Sequence, residues 1–197
     1  MRDEQLLARD ATRLRKAVNT KAGSRTDHPA LIVFVGLPGS GKSYLASRLI
    51  EKVSAVVLES DFLRKILVRR PIYTQFESFR LFHAIHKLIR EILKEKHNVI
   101  LDATNLSEDS RRPLYNIAKE TGAKLIIIHL NTPREVAEER LLGRQFRRDG
   151  YSDADWTVYQ KLEPAFEPIR EPHFEVKGIM DISPVIDKIV AEINSNL

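Results

Sequence analysis

The stretch that decides the fold is Gly36-Leu37-Pro38-Gly39-Ser40-Gly41-Lys42-Ser43, which follows the apolar run LIVFV at 31–35. It matches the pattern G-x-x-x-x-G-K-[ST] at every specified position. Glycines permit a tight turn whose successive N–H groups point at phosphate oxygens, and the helix that follows adds its positive end. The stretch therefore predicts a nucleotide-phosphate loop between a strand and a helix, to which all of its residues contribute.

Two side chains of this loop have chemical roles of their own. Lys42 is predicted to reach the β- and γ-phosphates of ATP, and the hydroxyl of Ser43 is predicted to bind Mg²⁺. Because the lysine charge also opposes the charge that develops during phosphoryl transfer, we count Lys42 among the catalytic residues. The sequence thus predicts ATP and Mg²⁺ as cofactors.

Around the loop, short apolar runs alternate with segments of helical spacing. The predicted strands lie at 31–35, 55–59, 98–102, 124–130 and 173–177. Strands without polar alternation are buried on both faces, as in parallel sheets covered by helices. We predict an α/β protein with the P-loop NTPase fold, whose domain spans residues 30–197.

The N-terminal segment, residues 1–29, is predicted to be a helical extension followed by a linker. A thin apolar stripe runs through 3–20, and GSRTDHP at 23–29 has the composition of a linker. Two interpretations of this segment stay open. It is either a helix that docks on the domain or a poorly ordered tail.

The composition limits the classes of protein to consider. The 197 residues carry a net charge of +5 and no cysteine, which excludes disulfides, thiolate metal sites and cysteine nucleophiles. No apolar stretch approaches the roughly 20 residues that span a bilayer, and the first thirty residues contain no apolar signal region. We therefore expect a cytoplasmic protein without a membrane span. Its basic character slightly favours a second substrate, the acceptor of the phosphoryl group, that itself bears phosphate.

Acidic residues follow two of the predicted strands, at the edge where ligands of open α/β sheets bind. Asp102 ends Val99-Ile100-Leu101-Asp102, a form typical of a Walker B element. The strand before it is expected beside the strand of the phosphate loop, so that Asp102 lies near Ser43 and the metal. The alternative is a carboxylate that only caps the turn into Asn105.

The stretch that begins at Glu59 (ESDFLRK) offers a second carboxylate. Asp61 is predicted to be the general base that takes the proton of an acceptor hydroxyl, and Arg64, one helical turn later, to hold an anionic group of that acceptor. The alternative is structural, because Ser60 or Asp61 is also positioned to cap a helix over 62–69.

Together these motifs resemble the kinase domain of polynucleotide 5′-hydroxyl kinases, within a broader group that includes zeta-toxin-type and chloramphenicol phosphotransferase-like kinases. The resemblance spans about 30–178. The residues that carry it are the loop 36–43, Asp61-x-x-Arg64, the VILDATN run at 99–105, Arg140-x-x-x-Arg144 and Ser152-Asp153-Ala154.

For the fold, the resemblance implies a five-stranded parallel sheet in the strand order 2-3-1-4-5. For the acceptor, it implies a binding site at the edge of that sheet. It implies that Asp61 activates the acceptor hydroxyl and that Arg64 contacts a phosphate of the acceptor. It also places Asp102 and Asn105 among the substrate-binding residues.

For the nucleotide side, the resemblance implies an arginine-rich lid over about 140–163. Arg140 and Arg144 would bind the ATP phosphates, and Arg144 would act in catalysis by stabilising transition-state charge. Arg147 and Arg148 extend the same basic cluster, so the identity of the acting arginine stays open.

The function that follows is transfer of the γ-phosphoryl group of ATP to an acceptor hydroxyl, as in polynucleotide 5′-hydroxyl kinases. The acceptor is then the 5′ end of a nucleic acid. The alternatives are a kinase for a sugar, nucleoside or antibiotic, a nucleotide-dependent switch module, or a toxin-like kinase. The sequence shows no dense basic face with interleaved aromatics of the kind that binds nucleic acid, and Phe76, Phe79 and Phe82 are interpreted as the core of a helix over 75–96.

Overall fold

The structure, a computed structural model, describes residues 2–19, 23–147, 152–178 and 181–195. The strands are β1 (Ala30–Val35), β2 (Ala55–Glu59), β3 (Asn98–Asp102), β4 (Lys124–Asn131) and β5 (His173–Lys177). The α-helices are α1 (Arg2–Ala17), α2 (Lys42–Ile50), α3 (Ser60–Leu67), α4 (Gln75–Lys94), α5 (Glu108–Thr121), α6 (Arg134–Arg147), α7 (Trp156–Leu162) and α8 (Ser183–Asn194). Among the helices of these ranges, none is long and apolar enough to cross a membrane.

The strands form one five-stranded sheet in the order β2-β3-β1-β4-β5, and every neighbouring pair is parallel. This confirms the predicted α/β fold and its strand order. Parallel strands need crossover connections, and the helices between them cover both faces of the sheet. The phosphate loop follows β1, which lies in the middle of the sheet.

The central strand shows why its sequence has no polar alternation. All six residues of β1 are fully buried, with Leu31, Val33 and Val35 in the apolar cluster on one face and Ile32 and Phe34 in the cluster on the other. Helices α1, α4 and α5 contribute to the first cluster, and α2 and α8 to the second. The sheet thus holds the end of β1 rigidly between two cores.

Helix α4 departs from the interpretation of its phenylalanines. Phe76 and Phe79 are 57% and 58% exposed, and Phe82 is half-buried, so the prediction that they form core was wrong for the first two. The helix buries a different face, which carries Leu81, Ile85, Leu88 and Ile92. Both stripes have helical spacing, and periodicity alone does not tell which of them faces the sheet.

Helix α1 packs against α3 and α4. Leu14 is fully buried in the core, and the carboxylate of Asp10, only 1% exposed, accepts two hydrogen bonds from Arg80 of α4 at 2.7 and 2.8 Å. A buried and bidentate ion pair ties the N-terminal helix to the longest helix of the domain.

We predict that Asp10→Ala lowers the free energy of unfolding by about 3 kcal/mol, because it leaves the Arg80 guanidinium with an uncompensated charge. The control is Arg15→Ala on the same helix, which removes a more exposed ion pair with Glu95 and should cost at most about 1 kcal/mol. Urea unfolding of both variants measures the two costs. Equal losses in the two variants would contradict the prediction.

Candidate active site

The phosphate loop owes its shape to two glycines with left-handed backbones. Gly41 precedes the first residue of α2 with φ of 99°, and Gly39 has φ of 78°. A Cβ at Gly39 would also lie 2.8 Å from the carbonyl oxygen of Ala137 in α6. Only glycine meets both demands, so the loop turns tightly and directs the N-terminus of α2 to the ligand side.

The ammonium group of Lys42 lies against the loop. It donates hydrogen bonds to the carbonyl oxygens of Gly36 and Leu37 at 2.9 Å each, and its third contact is the hydroxyl of Ser40 at 3.4 Å. These contacts hold the positive charge at the mouth of the turn, where the pattern predicts nucleotide phosphates.

Ser43 and Asp102 lie together, as their positions at the ends of neighbouring elements predict. The hydroxyl of Ser43 donates a 2.7 Å hydrogen bond to Oδ2 of Asp102, because β3 is the direct neighbour of β1 in the sheet. Asp102 is 5% exposed. Hydroxyl and carboxylate oxygens are suitable Mg²⁺ ligands, so this pair fits the predicted metal role. Throughout the described ranges, no group of three or more His, Cys, Asp or Glu residues could hold a metal by itself, as expected where substrate phosphates complete the coordination.

A cleft of about 610 Å³ opens in front of this pair, and it brings most of the predicted residues together. Its walls come from the phosphate loop, the ends of β2 and β3, helices α3 and α4, and the segment 152–162. The charged and polar residues that line it include Lys42, Ser43, Asp61, Arg64, Tyr73, Asp102 and Asp153.

Asp61 lies in the first turn of α3 and lines the cleft. The residue that precedes the helix is Glu59, which forms no side-chain capping bond, so the alternative of a cap at Ser60 or Asp61 was wrong. Glu59 also lines the cleft and pairs in register with Asp102 on β3. The acidic end of β2 thus faces the acidic end of β3, and Asp61 stands beside them.

Arg64 is buried, with 7% exposure, yet it lines the cleft. Its Nη2 donates to the Ser78 hydroxyl at 3.3 Å, its guanidinium lies 4.8 Å from the ring centre of Tyr73, and Glu77 is its nearest carboxylate at 3.8 Å. Nε and Nη1 make no hydrogen bond within the described residues. Buried N–H donors that make no hydrogen bond are costly, and in Arg64 these donors belong to a side chain that lines the cleft.

One bridge across the cleft was not predicted from the sequence. Asp153, in the segment before α7, accepts hydrogen bonds from Lys65 at 2.8 Å and from the Tyr73 hydroxyl at 3.0 Å. Partial burial, the bond to Asp153 and the negative charge of Asp61 raise the pKa of Tyr73. Tyr73 therefore stays protonated and serves as a donor. A positive φ of 57° aims it, and no sequence pattern announces that geometry.

Five of the predicted residues do not line the cleft: Gly36, Leu37 and Ser40 of the phosphate loop, and also Asn105 and Arg140. Asn105 is buried and donates to the carbonyl oxygen of Phe34 at 2.8 Å, so its amide ties the loop after β3 to the end of β1 instead of pointing into the cleft. Arg140 donates to the carbonyl oxygens of Gly39 and Ser40 at 3.3 and 3.4 Å and supports the phosphate loop from outside.

The other arginines of the predicted lid stay predictions. The backbone of Arg144 and Arg147 belongs to α6, but their side chains lie outside the described part, and Arg148 lies outside it entirely. Around the lid, α7 packs through its aromatic residues, because Tyr159 is buried and stacks on Trp156 at 4.7 Å between ring centres. That apolar cluster includes Leu37, which couples the phosphate loop to α7.

The fold and the loop define a P-loop nucleotide-binding protein. Comparison with family models agrees: the AAA domain model AAA_33 matches residues 31–169, and the chain belongs to that family.

Individual relatives are kinases or nucleotide-bound proteins. The chain is 33% identical over 116 residues to L-seryl-tRNA(Sec) kinase of Methanococcus maripaludis, a match that covers 58% of this chain and 46% of that kinase. The chain thus spans less than half the length of this relative.

Two solved structures share the fold and about a quarter of the sequence. Kti12 of Chaetomium thermophilum in complex with ADP-AlF3 superposes with a TM-score of 0.65 at 25% identity, over 84% of this chain and all of that one. A chain of the Pnkp1/Rnl/Hen1 RNA repair complex superposes with a TM-score of 0.56 at 26% identity, over 72% of this chain and 48% of that one.

Proposed function

We propose that this protein is an ATP- and Mg²⁺-dependent kinase that transfers the γ-phosphoryl group to a hydroxyl of a phosphate-bearing acceptor, as polynucleotide 5′-hydroxyl kinases do. One observation carries the proposal: Asp61 and Arg64 line the same cleft as Lys42 and Ser43. A switch module needs the phosphate loop but has no use for a carboxylate and a buried arginine opposite it.

The acceptor half of the reaction belongs to Asp61. Its carboxylate takes the proton of the acceptor hydroxyl while the oxygen of that hydroxyl forms a bond to the γ-phosphorus and the bond to the β-phosphate oxygen breaks. Its place in the first turn of α3, on the wall of the cleft, suits it to this role.

The nucleotide half belongs to the loop and its neighbours. Lys42 exchanges its carbonyl partners for phosphate oxygens, and the N–H groups at the start of α2 hold the phosphates in place. Ser43 and Asp102 would hold Mg²⁺, which neutralises charge on the β- and γ-phosphates when bound. Arg144 is proposed to add charge from the lid, and Arg140 to do so only after it leaves the backbone carbonyl oxygens of Gly39 and Ser40.

The acceptor class follows from Arg64. Arg64 has two guanidinium nitrogens that make no hydrogen bond to the described residues, and it lines the cleft with the general base. A guanidinium binds phosphate bidentately, so this side chain is suited to a phosphate of the acceptor. Glu77 at 3.8 Å balances part of the charge and keeps the side chain in place. The likeness to a chain of an RNA repair complex and to a seryl-tRNA kinase supports an acceptor group carried by a nucleic acid.

The test compares two acceptors that differ by one phosphate, a nucleoside and its 3′-monophosphate, both with a free 5′-hydroxyl. We expect the wild-type protein to prefer the phosphorylated acceptor by about 100-fold or more in kcat/KM, and Arg64→Ala to lose most of that preference through a higher KM. Transfer from labelled ATP, resolved by chromatography, measures both.

Arg48→Ala is the matched control, because Arg48 pairs with Glu51 on the surface of α2. It should keep the wild-type preference. Equal use of both acceptors by the wild-type protein, or a strong preference for sugars or antibiotics, would overturn the assignment of the acceptor class.

A further inference from the structure

An exposed stripe runs along α4 from one end to the other. Its members recur every three or four residues, so they share one side of the helix, opposite the buried one. They are Phe76, Phe79, His83, Lys87, Arg90 and Lys94. A helix of 20 residues is about 30 Å long, so the stripe is an extended track with aromatic rings at one end and cations at the other.

The aromatic end of the stripe adjoins the cleft. Ser78 and Phe82 of α4 line the cleft, as does Tyr73 in the segment that leads into the helix. The backbone N–H groups of Ile72 and Tyr73 donate to the carboxylate of Glu77, which holds this segment on the first turn of α4. Ile72, 74% exposed, therefore adds an apolar side chain beside the first turn of α4, next to Tyr73 of the cleft lining.

The positive charge of the stripe is only partly balanced. Lys87 and Lys94 form no ion pair within the described residues, whereas Arg90 pairs with Glu120 at 2.9 Å. Glu91 is the one acid that lies with them around the shallow hollow on this face. Two more cations, Arg69 and Arg70, are exposed just before Ile72.

We propose that this stripe is a docking surface for single-stranded nucleic acid whose terminal hydroxyl enters the cleft. Bases stack on Phe76 and Phe79 next to the cleft, and the cations farther along the helix contact backbone phosphates. A protein partner would need only the aromatic end of the stripe. The run of cations that continues from it favours a polyanion. The inference rests on the proposed function and names the acceptor as part of a strand.

The experiment measures binding without ATP, so that it is independent of catalysis. Fluorescence anisotropy of a labelled oligothymidylate of about 12 nucleotides with a free 5′-hydroxyl gives Kd and its salt dependence. We expect Phe76→Ala/Phe79→Ala to raise Kd about tenfold or more, since each lost stacking contact weakens binding. We expect Lys87→Glu/Lys94→Glu to raise Kd and to lower the slope of log Kd against log salt by about 1.4, for two lost phosphate contacts.

The matched control is Lys52→Glu/Lys188→Glu, which makes the same change of charge just after α2 and on α8, the two helices that cover the opposite face of the sheet. It should leave Kd within about twofold of the wild-type value and the salt slope unchanged. If none of the substitutions in the stripe alters the Kd of the oligonucleotide, the inference is overturned. The stripe then binds a protein partner or no partner.

A second readout separates this inference from the proposed function. Transfer to the nucleoside 3′-monophosphate, which is too short to reach the stripe, should be the same in the stripe variants and the wild-type protein. If the oligonucleotide binds through the stripe but nothing is phosphorylated, the proposed function fails and the docking surface stands. If the short acceptor is phosphorylated but the oligonucleotide does not bind, the docking surface fails and the kinase stands.

Discussion

Replacing Asp61 with asparagine is expected to lower phosphoryl transfer by about 100- to 10,000-fold, the usual contribution of a general base. The amide has the shape of the carboxylate but does not accept the proton of the acceptor hydroxyl. Nucleotide affinity should stay at the wild-type value, because Asp61 follows β2 and the phosphate loop follows β1. Single-turnover transfer and a nucleotide titration on the same preparation measure the two effects.

Asp153→Asn is the control for Asp61→Asn, since both carboxylates line the same cleft. Asp153 is engaged by Lys65 and Tyr73 and is not proposed to accept a proton. Its loss should therefore reduce transfer by no more than about tenfold, the scale of lost hydrogen bonds. Wild-type transfer by Asp61→Asn, or equal losses in both variants, would contradict the role of Asp61.

Replacing Lys42 with alanine is expected to remove both nucleotide binding and transfer. The ammonium group is the charge that the loop itself presents at its turn, and its loss leaves phosphate charge unopposed in the cleft. We expect a rise in the nucleotide Kd and a loss of transfer of about 100- to 1,000-fold or more, the scale of one donor that stabilises transition-state charge.

The control for Lys42→Ala is Lys52→Ala. Lys52 lies on the surface just after α2 and pairs with Asp187. The control variant should bind nucleotide as the wild-type protein does. Measurable transfer at the wild-type rate by Lys42→Ala would remove the phosphate loop from the mechanism, and with it the kinase.

The features that could be predicted from the sequence are those encoded in contiguous runs. The apolar run before Gly36 and the run that ends at Asp102 both mark buried parallel strands, and the edge of such a sheet is where their ends meet. The contact of Ser43 with Asp102 at 2.7 Å follows from that arrangement. The phosphate loop could be predicted because the local backbone conformation of the turn requires its glycines.

The features that sequence reasoning missed depend on which face of an element is covered. Phe76 and Phe79 have the spacing of a core stripe, but α4 meets the sheet with its opposite side, and the aromatic and basic face of the protein was missed for that reason. Asn105 was expected at the substrate, yet its positive φ of 47° turns it into the protein. Such orientations depend on contacts between distant segments.

The same limit applies around the acceptor. The bridge from Tyr73 to Asp153 joins positions 80 residues apart. The two nitrogens of Arg64 that make no hydrogen bond within the described part of the chain are visible only once Ser78, Tyr73 and Glu77 surround the side chain. A sequence pattern places Arg64 one turn after Asp61. It does not show that the side chain is buried, or that two of its nitrogens make no hydrogen bond.

The central claim is that the γ-phosphoryl group of ATP goes to an acceptor hydroxyl in this cleft. The most direct test follows the label of γ-labelled ATP with the wild-type protein in the presence of 5′-hydroxyl oligonucleotides, nucleoside 3′-monophosphates, nucleosides and sugars. We predict that the label appears on the 5′-oxygen of the phosphate-bearing acceptors, and that this product is lost in Asp61→Asn. Label found only in inorganic phosphate across the whole panel, at a rate that Asp61→Asn leaves unchanged, would contradict the account.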